Sequence, residues 1–152
     1  MSETVVCLPL GMCSWDYELE GFGVRCTLEI NWGSEQGRIQ CNGEFYEIVK
    51  HGPFSGYWTM ERDGAVVCSA QKTSAFTRTF EISHPAGEAT LKAESAMGRT
   101  MVLSGVGTEA SIQPAHPFTR RATITGEWNE LEHVAFAFWL TIINWRRAAN
   151  NN

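Results

Sequence analysis

The side chains best suited to chemistry in this sequence are basic residues that recur at a regular interval. Arg78, Arg99 and Arg120 follow one another at 21-residue steps, and Lys50 and Lys72 occupy equivalent positions of the same repeat. Guanidinium and ammonium groups gathered on one surface attract anionic partners. The sequence therefore predicts a site for anions or lipid headgroups, and we call its members the basic set: Lys50, Lys72, Arg78, Arg99, Arg120 and Arg121.

The three repeating arginines also have a structural interpretation, which their position in the repeat favours. Arg78, Arg99 and Arg120 share the apolar phase of the strands on which we place them. They would then curl over the mouth of the fold and donate hydrogen bonds to the last carbonyls of a helix, where positive charge is stabilised. At the level of sequence both interpretations stay open: barrel architecture, or a surface that meets an anionic membrane or an acidic protein partner.

Catalytic and metal-binding patterns are absent from the sequence. It contains no G-x-S-x-G, Walker, G-x-G-x-x-G or H-E-x-x-H motif, and His51, His84 and His116 each adjoin Gly or Pro, which is typical of solvated loops. We predict a non-enzymatic binding or scaffold module, with no catalytic residue, metal or cofactor. The alternatives are an oligomerising structural protein and a small-substrate enzyme, which would need a cleft lined by residues such as His116 and Cys68.

Composition bears on partners and location. The chain has 152 residues and a net charge of −5, so it has the size of one domain and is unlike a general nucleic-acid binder. Its five cysteines form no C-x-x-C pair, so we expect reduced thiols in a reducing compartment, not a disulfide framework or structural zinc. Glu3 and Pro9 interrupt what would be a secretion signal. We expect a cytoplasmic protein that can also lie at the membrane periphery.

A repeat of about 21 residues must position the basic set. Its four copies share an apolar anchor residue: Phe54, Phe76, Met97 and Phe118. Each copy alternates with period two, as in Phe76, Phe80 and Ile82, which predicts strands buried on one face. Asn42-Gly43 and Asp63-Gly64 are typical of tight hairpin turns. Each unit is then two strands and two turns of a β-meander.

The N-terminal part adds further strand-like segments, roughly Tyr17–Glu20, Val24–Ile30 and Arg38–Cys41. We assign Met12, Cys13 and Trp15 to the core or to barrel closure. Five tryptophans are assigned to packing, because no basic residues interleave them as they would in a stacking platform: Trp32, Trp58, Trp128, Trp139 and Trp145.

One C-terminal stretch differs from the rest of the chain. VAFAFWLTIINW, Val134–Trp145, is apolar on almost every side of a helix, and such a helix must be surrounded by protein or lipid. A membrane span needs about 20 apolar residues, so we favour a buried central helix over a membrane anchor or an oligomer interface. We predict this helix at about 130–147, with Asn129 as its N-cap and Glu132 as its capping-box partner.

These elements predict a mainly β fold: a closed antiparallel β-barrel of about 12 strands built from hairpin repeats, as one domain over residues 1–152. A barrel of that size is too wide for its own side chains to fill, and the helix would fill it. Strands two apart in a meander run in the same direction. The basic set would therefore lie at one end together with Arg146 and Arg147, and the opposite turns would carry acidic residues: Glu44, Asp63, Glu88 and Glu109.

Several motifs, in this order, resemble the tubby C-terminal-like superfamily, which includes the LURP-one-related proteins and the phospholipid scramblases. The motifs are G-x-F-Y-E-I at Gly43–Ile48, R-D-G at Arg62–Gly64 and F-T-R-x-F at Phe76–Phe80, followed by the apolar helix. The resemblance covers about Gly43 to Arg147. It implies a twelve-stranded barrel around a hydrophobic helix and functions that include phosphoinositide binding and membrane association. The acidic calcium motif of the scramblases has no clear counterpart, so neither calcium binding nor lipid transport is expected.

Overall fold

The computed structural model describes residues 3–12, 14–21, 23–117 and 119–150. The elements within these ranges are β1 (Glu3–Pro9), β2 (Tyr17–Gly21), β3 (Val24–Ile30), β4 (Gly37–Cys41), β5 (Glu44–Lys50), β6 (Tyr57–Arg62), β7 (Ala65–Lys72), β8 (Thr79–His84), β9 (Gly87–Ala93), β10 (Met101–Gly105), β11 (Thr108–Pro114), β12 (Ala122–Glu127) and α1 (Leu131–Asn150).

The strands form a closed antiparallel barrel in sequence order. Each strand pairs with the next along the chain, and β1 closes the ring against β12, with Glu3 opposite Gly126 and Cys7 opposite Ala122. Inward-facing apolar residues alternate with outward-facing polar ones, as in β3, where Cys26 and Leu28 are buried and Arg25 and Glu29 are exposed. The predicted fold class is confirmed.

Helix α1 lies inside this barrel. Every residue from His133 to Trp145 is buried, so no face of this segment reaches solvent. The helix contacts β3 and β4 and also β11, which stands across the ring from them. Phe138 packs edge-on against Tyr17 of β2, with ring centroids 4.9 Å apart. The predicted central helix is confirmed. Among the described residues, no helix combines the length and apolar character that a membrane span requires.

The ends of the helix differ from the prediction. It runs to Asn150, beyond the predicted end at residue 147, because Ala148 and Ala149 follow the arginines and favour continuation of the helix. It begins at Leu131, so Glu130 precedes it and Asn129 is one residue too early to be the N-cap. The Glu130 carboxylate accepts a hydrogen bond from His84 at 3.1 Å instead of capping the helix.

The two ends of the barrel are built differently. At one end, which we call the turn end, neighbouring strands join through tight turns, and Asn42-Gly43 and Asp63-Gly64 have positive φ at both residues, as predicted. At the other, the loop end, the described strands are joined by six longer connections, in which all residues but Cys13 and Phe118 are described: residues 10–16, 31–36, 51–56, 73–78, 94–100 and 115–121. Helix α1 enters at the turn end, after β12, and finishes at the loop end.

The repeat anchors do not lie on strands, contrary to the prediction. Phe54, Phe76 and Met97 lie in loops and are exposed, because their strands begin only at Tyr57, Thr79 and Met101. Alternation with period two continues through the loop residues, so the pattern alone does not show where the hydrogen-bonded ladder starts. The inward face begins instead at residues such as Phe80 and Met101. Phe118 lies outside the described residues.

The cysteines also depart from expectation. Cys26 and Cys41 stand directly opposite each other on β3 and β4, with Cα atoms 4.3 Å apart, and form a disulfide. Their separation of 15 residues in sequence gave no sign of this register. Cys7 and Cys68 are free and buried, while Cys13 lies outside the described residues. Cysteine usage therefore gives no support for a reducing compartment.

Truncating the same side chain inside and outside the barrel tests this fold. Phe138→Ala removes a ring that is fully buried on α1, so the free energy of unfolding should fall by about 3–5 kcal/mol. Phe76→Ala removes a ring in solvent and should change it by less than about 0.5 kcal/mol. Urea unfolding followed by circular dichroism measures both. Equal effects of the two substitutions would contradict the central position of the helix.

Candidate functional site

All six residues of the basic set lie at the loop end. Lys50 and Lys72 are the last residues of β5 and β7, and the four arginines lie in the loops that precede β8, β10 and β12. Helix α1 brings Arg146 and Arg147 to the same end, where they bond residues of the 31–36 loop. The acidic residues named from the sequence lie at the turn end: Glu44, Asp63, Glu88 and Glu109.

The three repeating arginines bind backbone carbonyls of loops, not of the helix as the structural interpretation expected. Arg78 donates to the carbonyl oxygens of Gly98 at 2.6 Å, Ser95 at 2.7 Å and Ala96 at 3.1 Å. Arg78 thus spans from its own loop to the next loop of the repeat. The carbonyl oxygens of the neighbouring loop are within reach of an arginine at the loop end, so Arg78 joins one loop to the next.

The other two arginines repeat this arrangement one unit further round the barrel. Arg99 donates to the carbonyl oxygens of His116 and Pro117, each at 3.3 Å. Arg120 donates to those of Gly11, Met12 and Ser14 in the 10–16 loop. Because a carbonyl carries no net charge, these bonds fix the loops but leave the positive charge of the arginines uncompensated.

Lys50 differs from the arginines because it is ion-paired. Its Nζ lies 2.7 Å from Oε1 of Glu35, and Arg147 bonds both oxygens of the same carboxylate at 2.5 and 2.6 Å. The Trp58 indole N–H donates to the Glu35 carbonyl oxygen at 3.1 Å. These contacts, which we call the Glu35 latch, tie the end of α1 and the strands β5 and β6 to the 31–36 loop. The charges of Lys50 and Arg147 are therefore already paired within the protein.

The environment of Glu35 sets its pKa. Burial alone would raise the pKa of this carboxyl, but hydrogen bonds and charge from Arg147 and Lys50 outweigh burial and hold the pKa below its ordinary value. The Glu35 latch therefore contains an ionised carboxylate that is shared by two cations.

Lys72 and Arg121 are the members of the basic set whose side chains are not bonded in this way. Neither side chain makes a salt bridge or hydrogen bond with another residue in the described ranges. Burial, and then the charges of Arg147 and Lys50, lower the pKa of Lys72, while Glu35 opposes this. Arg121 is exposed. These two residues are the natural positions at which to change the charge of the loop end without breaking its architecture.

A set of exposed apolar residues shares the loop end and was missed by the sequence analysis. Five loops each carry a large apolar side chain that is 96–99% exposed, and we call these residues the apolar tips: Met12, Trp32, Phe54, Phe76 and Met97. The assignments of Met12 to the core and of Trp32 to packing were wrong. The interval between the tips, 20 to 22 residues along the chain, was the available signal, because it equals the repeat of the loops.

The turn end contains a cavity that bears on the alternative prediction of a small-substrate enzyme. A cavity of about 590 Å³ beside the start of α1 is lined by residues that include Cys68, His84, Glu130 and His133. Ala86 N donates to His84 Nδ1 at 3.1 Å, so His84 Nε2 carries the proton and donates to Glu130. Both nitrogens of His84 are thus occupied, which leaves it without a free atom to act as a base.

Burial shifts the pKa of two further groups that line this cavity, Cys68 and His133. Burial, with a smaller effect of Glu130, raises the pKa of the Cys68 thiol to about 12. Burial, with the nearby His84, lowers the pKa of His133 to about 4. Cys68 is therefore a thiol, not the nucleophilic thiolate. His116, named with Cys68 as a possible cleft residue, lies in a loop at the opposite end. The described residues contain no group of side chains able to hold a metal ion.

Comparison with protein-family models, with curated proteins and with solved structures finds no match to this chain. The loop end, with its cations and apolar tips, therefore stands on its own geometry as the candidate site.

The Glu35 latch predicts a pH-dependent contribution to stability. The folded pKa of Glu35 lies below its ordinary value of 4.5, so the contribution is complete above that value and is lost as pH falls through the folded pKa. At pH 7, Glu35→Gln should lower the free energy of unfolding by about 2 kcal/mol. Urea unfolding from pH 7 to pH 3 should show the difference between variant and wild type shrinking toward zero.

Glu94→Gln is the matched control, because Glu94 is exposed at the same end of the barrel. It should change stability little at any pH. A difference between Glu35→Gln and wild type that stays constant down to pH 3 would show that the carboxylate charge does not hold the latch.

Proposed function

We propose that this protein is a non-enzymatic binding module whose loop end associates with an anionic surface. The observation that carries the proposal is a set of six cations at one end of the barrel that make no salt bridge with another described residue: Lys72, Arg78, Arg99, Arg120, Arg121 and Arg146. The shared chemistry of the partner is a dense array of negative charges, as on anionic lipid headgroups or an acidic protein.

The distribution of charge over the molecule supports this orientation. The six loops and their directly flanking residues carry six basic side chains, and Arg146 and Arg147 at the end of α1 bring the number at this end to eight. They face three carboxylates, Asp16, Glu35 and Glu94. Of these carboxylates, Glu35 is already paired with two cations. Carboxylates gather instead at the turn end. A molecule of net charge −5 would thus approach an anionic surface with its loop end first, because local charge dominates over distances near the Debye length.

We also propose, from the resemblance of its motifs, that the chain belongs to the tubby C-terminal-like superfamily. The closed barrel of twelve strands around a buried hydrophobic helix is the architecture that the resemblance implies, and it supports this assignment. The peripheral membrane location that some members of that superfamily share agrees with the proposed binding surface.

A vesicle co-sedimentation series tests the proposed function. Wild-type protein should bind vesicles that contain phosphatidylglycerol at low ionic strength, bind phosphatidylcholine vesicles weakly, and lose binding as salt is added. The double variant Lys72→Glu/Arg121→Glu should lower the partition coefficient about 30-fold. This corresponds to about 2 kcal/mol of binding free energy, since each basic residue at the surface contributes about 1 kcal/mol.

The control is Arg25→Glu/Arg62→Glu, which changes the net charge equally but far from the loop end, on β3 and β6 near the turns. It should retain most of the binding. Absence of wild-type binding at low salt, or an equal loss in both double variants, would refute the proposal.

A further inference from the structure

We propose that the apolar tips insert between the headgroups of a lipid bilayer, with the barrel standing on its loop end, so that the partner of the basic surface is a membrane. This inference rests on the proposed function and goes beyond it, because the cations alone do not distinguish a bilayer from an acidic protein. It is carried by the position, exposure and charge surroundings of the tips.

The position of the tips is systematic. Each tip lies in a different one of the loops that join β1 to β2, β3 to β4, β5 to β6, β7 to β8 and β9 to β10. Neighbouring strands are about 4.8 Å apart, so successive loops of a meander stand about 10 Å apart around the rim. The tips therefore form an arc of separate apolar side chains at one end of the barrel.

The exposure of the tips sets them apart from other exposed apolar residues. Isolated exposed apolar side chains are normal on proteins and call for no explanation. The residues exposed on the walls, Val6, Phe45 and Val66, are 42–59% exposed, whereas the tips are 96–99% exposed. The tips are five apolar side chains that are almost fully exposed at equivalent positions of a repeat. Such an array marks an interaction surface.

Three of the loops that carry the tips are held in place by hydrogen bonds to their backbone carbonyls. Arg78 donates to the carbonyl oxygens of Ala96 and Gly98, which flank Met97, and Arg120 donates to the carbonyl oxygen of Met12 itself. Gln71 donates to the Ser55 and Gly56 carbonyl oxygens beside Phe54, at 2.9 and 3.3 Å. The tips are thus presented on supported loops, which lowers the entropy lost when they enter another phase.

A bilayer fits this surface better than a protein does. A protein interface has a contiguous apolar core surrounded by a polar rim, whereas here the tips are separate and the polar end of α1, with Arg146 and Asn150, lies among them. A fluid bilayer can receive each tip separately while cations at the same level meet the headgroups. A second copy docked end to end would bring the two basic surfaces together and is disfavoured by repulsion.

The test compares tips with wall residues of similar chemistry. Phe54→Ser/Phe76→Ser should lower partition into phosphatidylglycerol-containing vesicles by at least about tenfold. It should leave retention on heparin–agarose, a polyanion without an apolar phase, unchanged. The control Phe45→Ser/Val66→Ser, on the walls, should change neither. Thermal melts should show all variants folded, because every changed side chain is exposed.

The depth to which the tips enter the bilayer is measured through the fluorescence of Trp32. Vesicles with brominated acyl chains should quench the fluorescence of wild-type protein more than that of Trp32→Phe, because Trp32 would reach the level of the chains. Vesicle binding that needs the cations but not the tips, without quenching at Trp32, would overturn insertion while leaving the proposed function intact. Failure of wild-type protein to bind any anionic vesicle would overturn both. Loss of heparin retention in the tip variant would show that the tips act in contact with polyanions in general, and would also overturn insertion.

Discussion

A barrel of twelve strands encloses more volume than its own inward side chains can fill, and the remaining structure depends on how that volume is occupied. Helix α1 occupies it with residues that are apolar on every side, including Phe136, Phe138 and Trp139, all fully buried. The barrel wall makes room for them: β4 begins with Gly37, whose missing Cβ would lie 2.7 Å from the Trp139 ring. The helix fills the interior of the barrel, and the barrel buries every residue of the helix from His133 to Trp145.

The same constraint makes the two ends of the barrel unlike each other. Because the helix enters after β12, its last turns must emerge at the loop end, where the Trp145 indole N–H donates to the Arg99 carbonyl oxygen at 3.0 Å and Arg147 joins the Glu35 latch. The loops are thus tied inward to the helix and sideways to one another through Arg78, Arg99 and Arg120. Loops fixed in this way can hold apolar side chains in solvent, where a free loop would fold them back.

Periodicity was sufficient to predict the barrel and its helix, because alternation and an apolar helix of limited length have few packing solutions. Periodicity was insufficient to predict which residues are exposed at the loop end. Phe76 and Phe80 have the same residue type and the same phase, yet one is exposed in a loop and the other is buried on β8. The start of β8 at Thr79 separates them, and just before it Arg78 bonds the 94–100 loop. Likewise, the Cys26–Cys41 disulfide depends on the register of β3 and β4, which no local pattern encodes.

Hydrogen exchange with and without anionic vesicles measures most directly which surface of the molecule meets the membrane. Membrane contact through the loop end predicts slower exchange with vesicles in the loops, most clearly in residues 51–56, 73–78 and 94–100. It predicts unchanged exchange at the turn end, in residues 42–43, 63–64 and 85–86. Protection that appears at the turns or on the barrel wall, or loops that exchange equally fast in vesicle-bound and free protein, would contradict it.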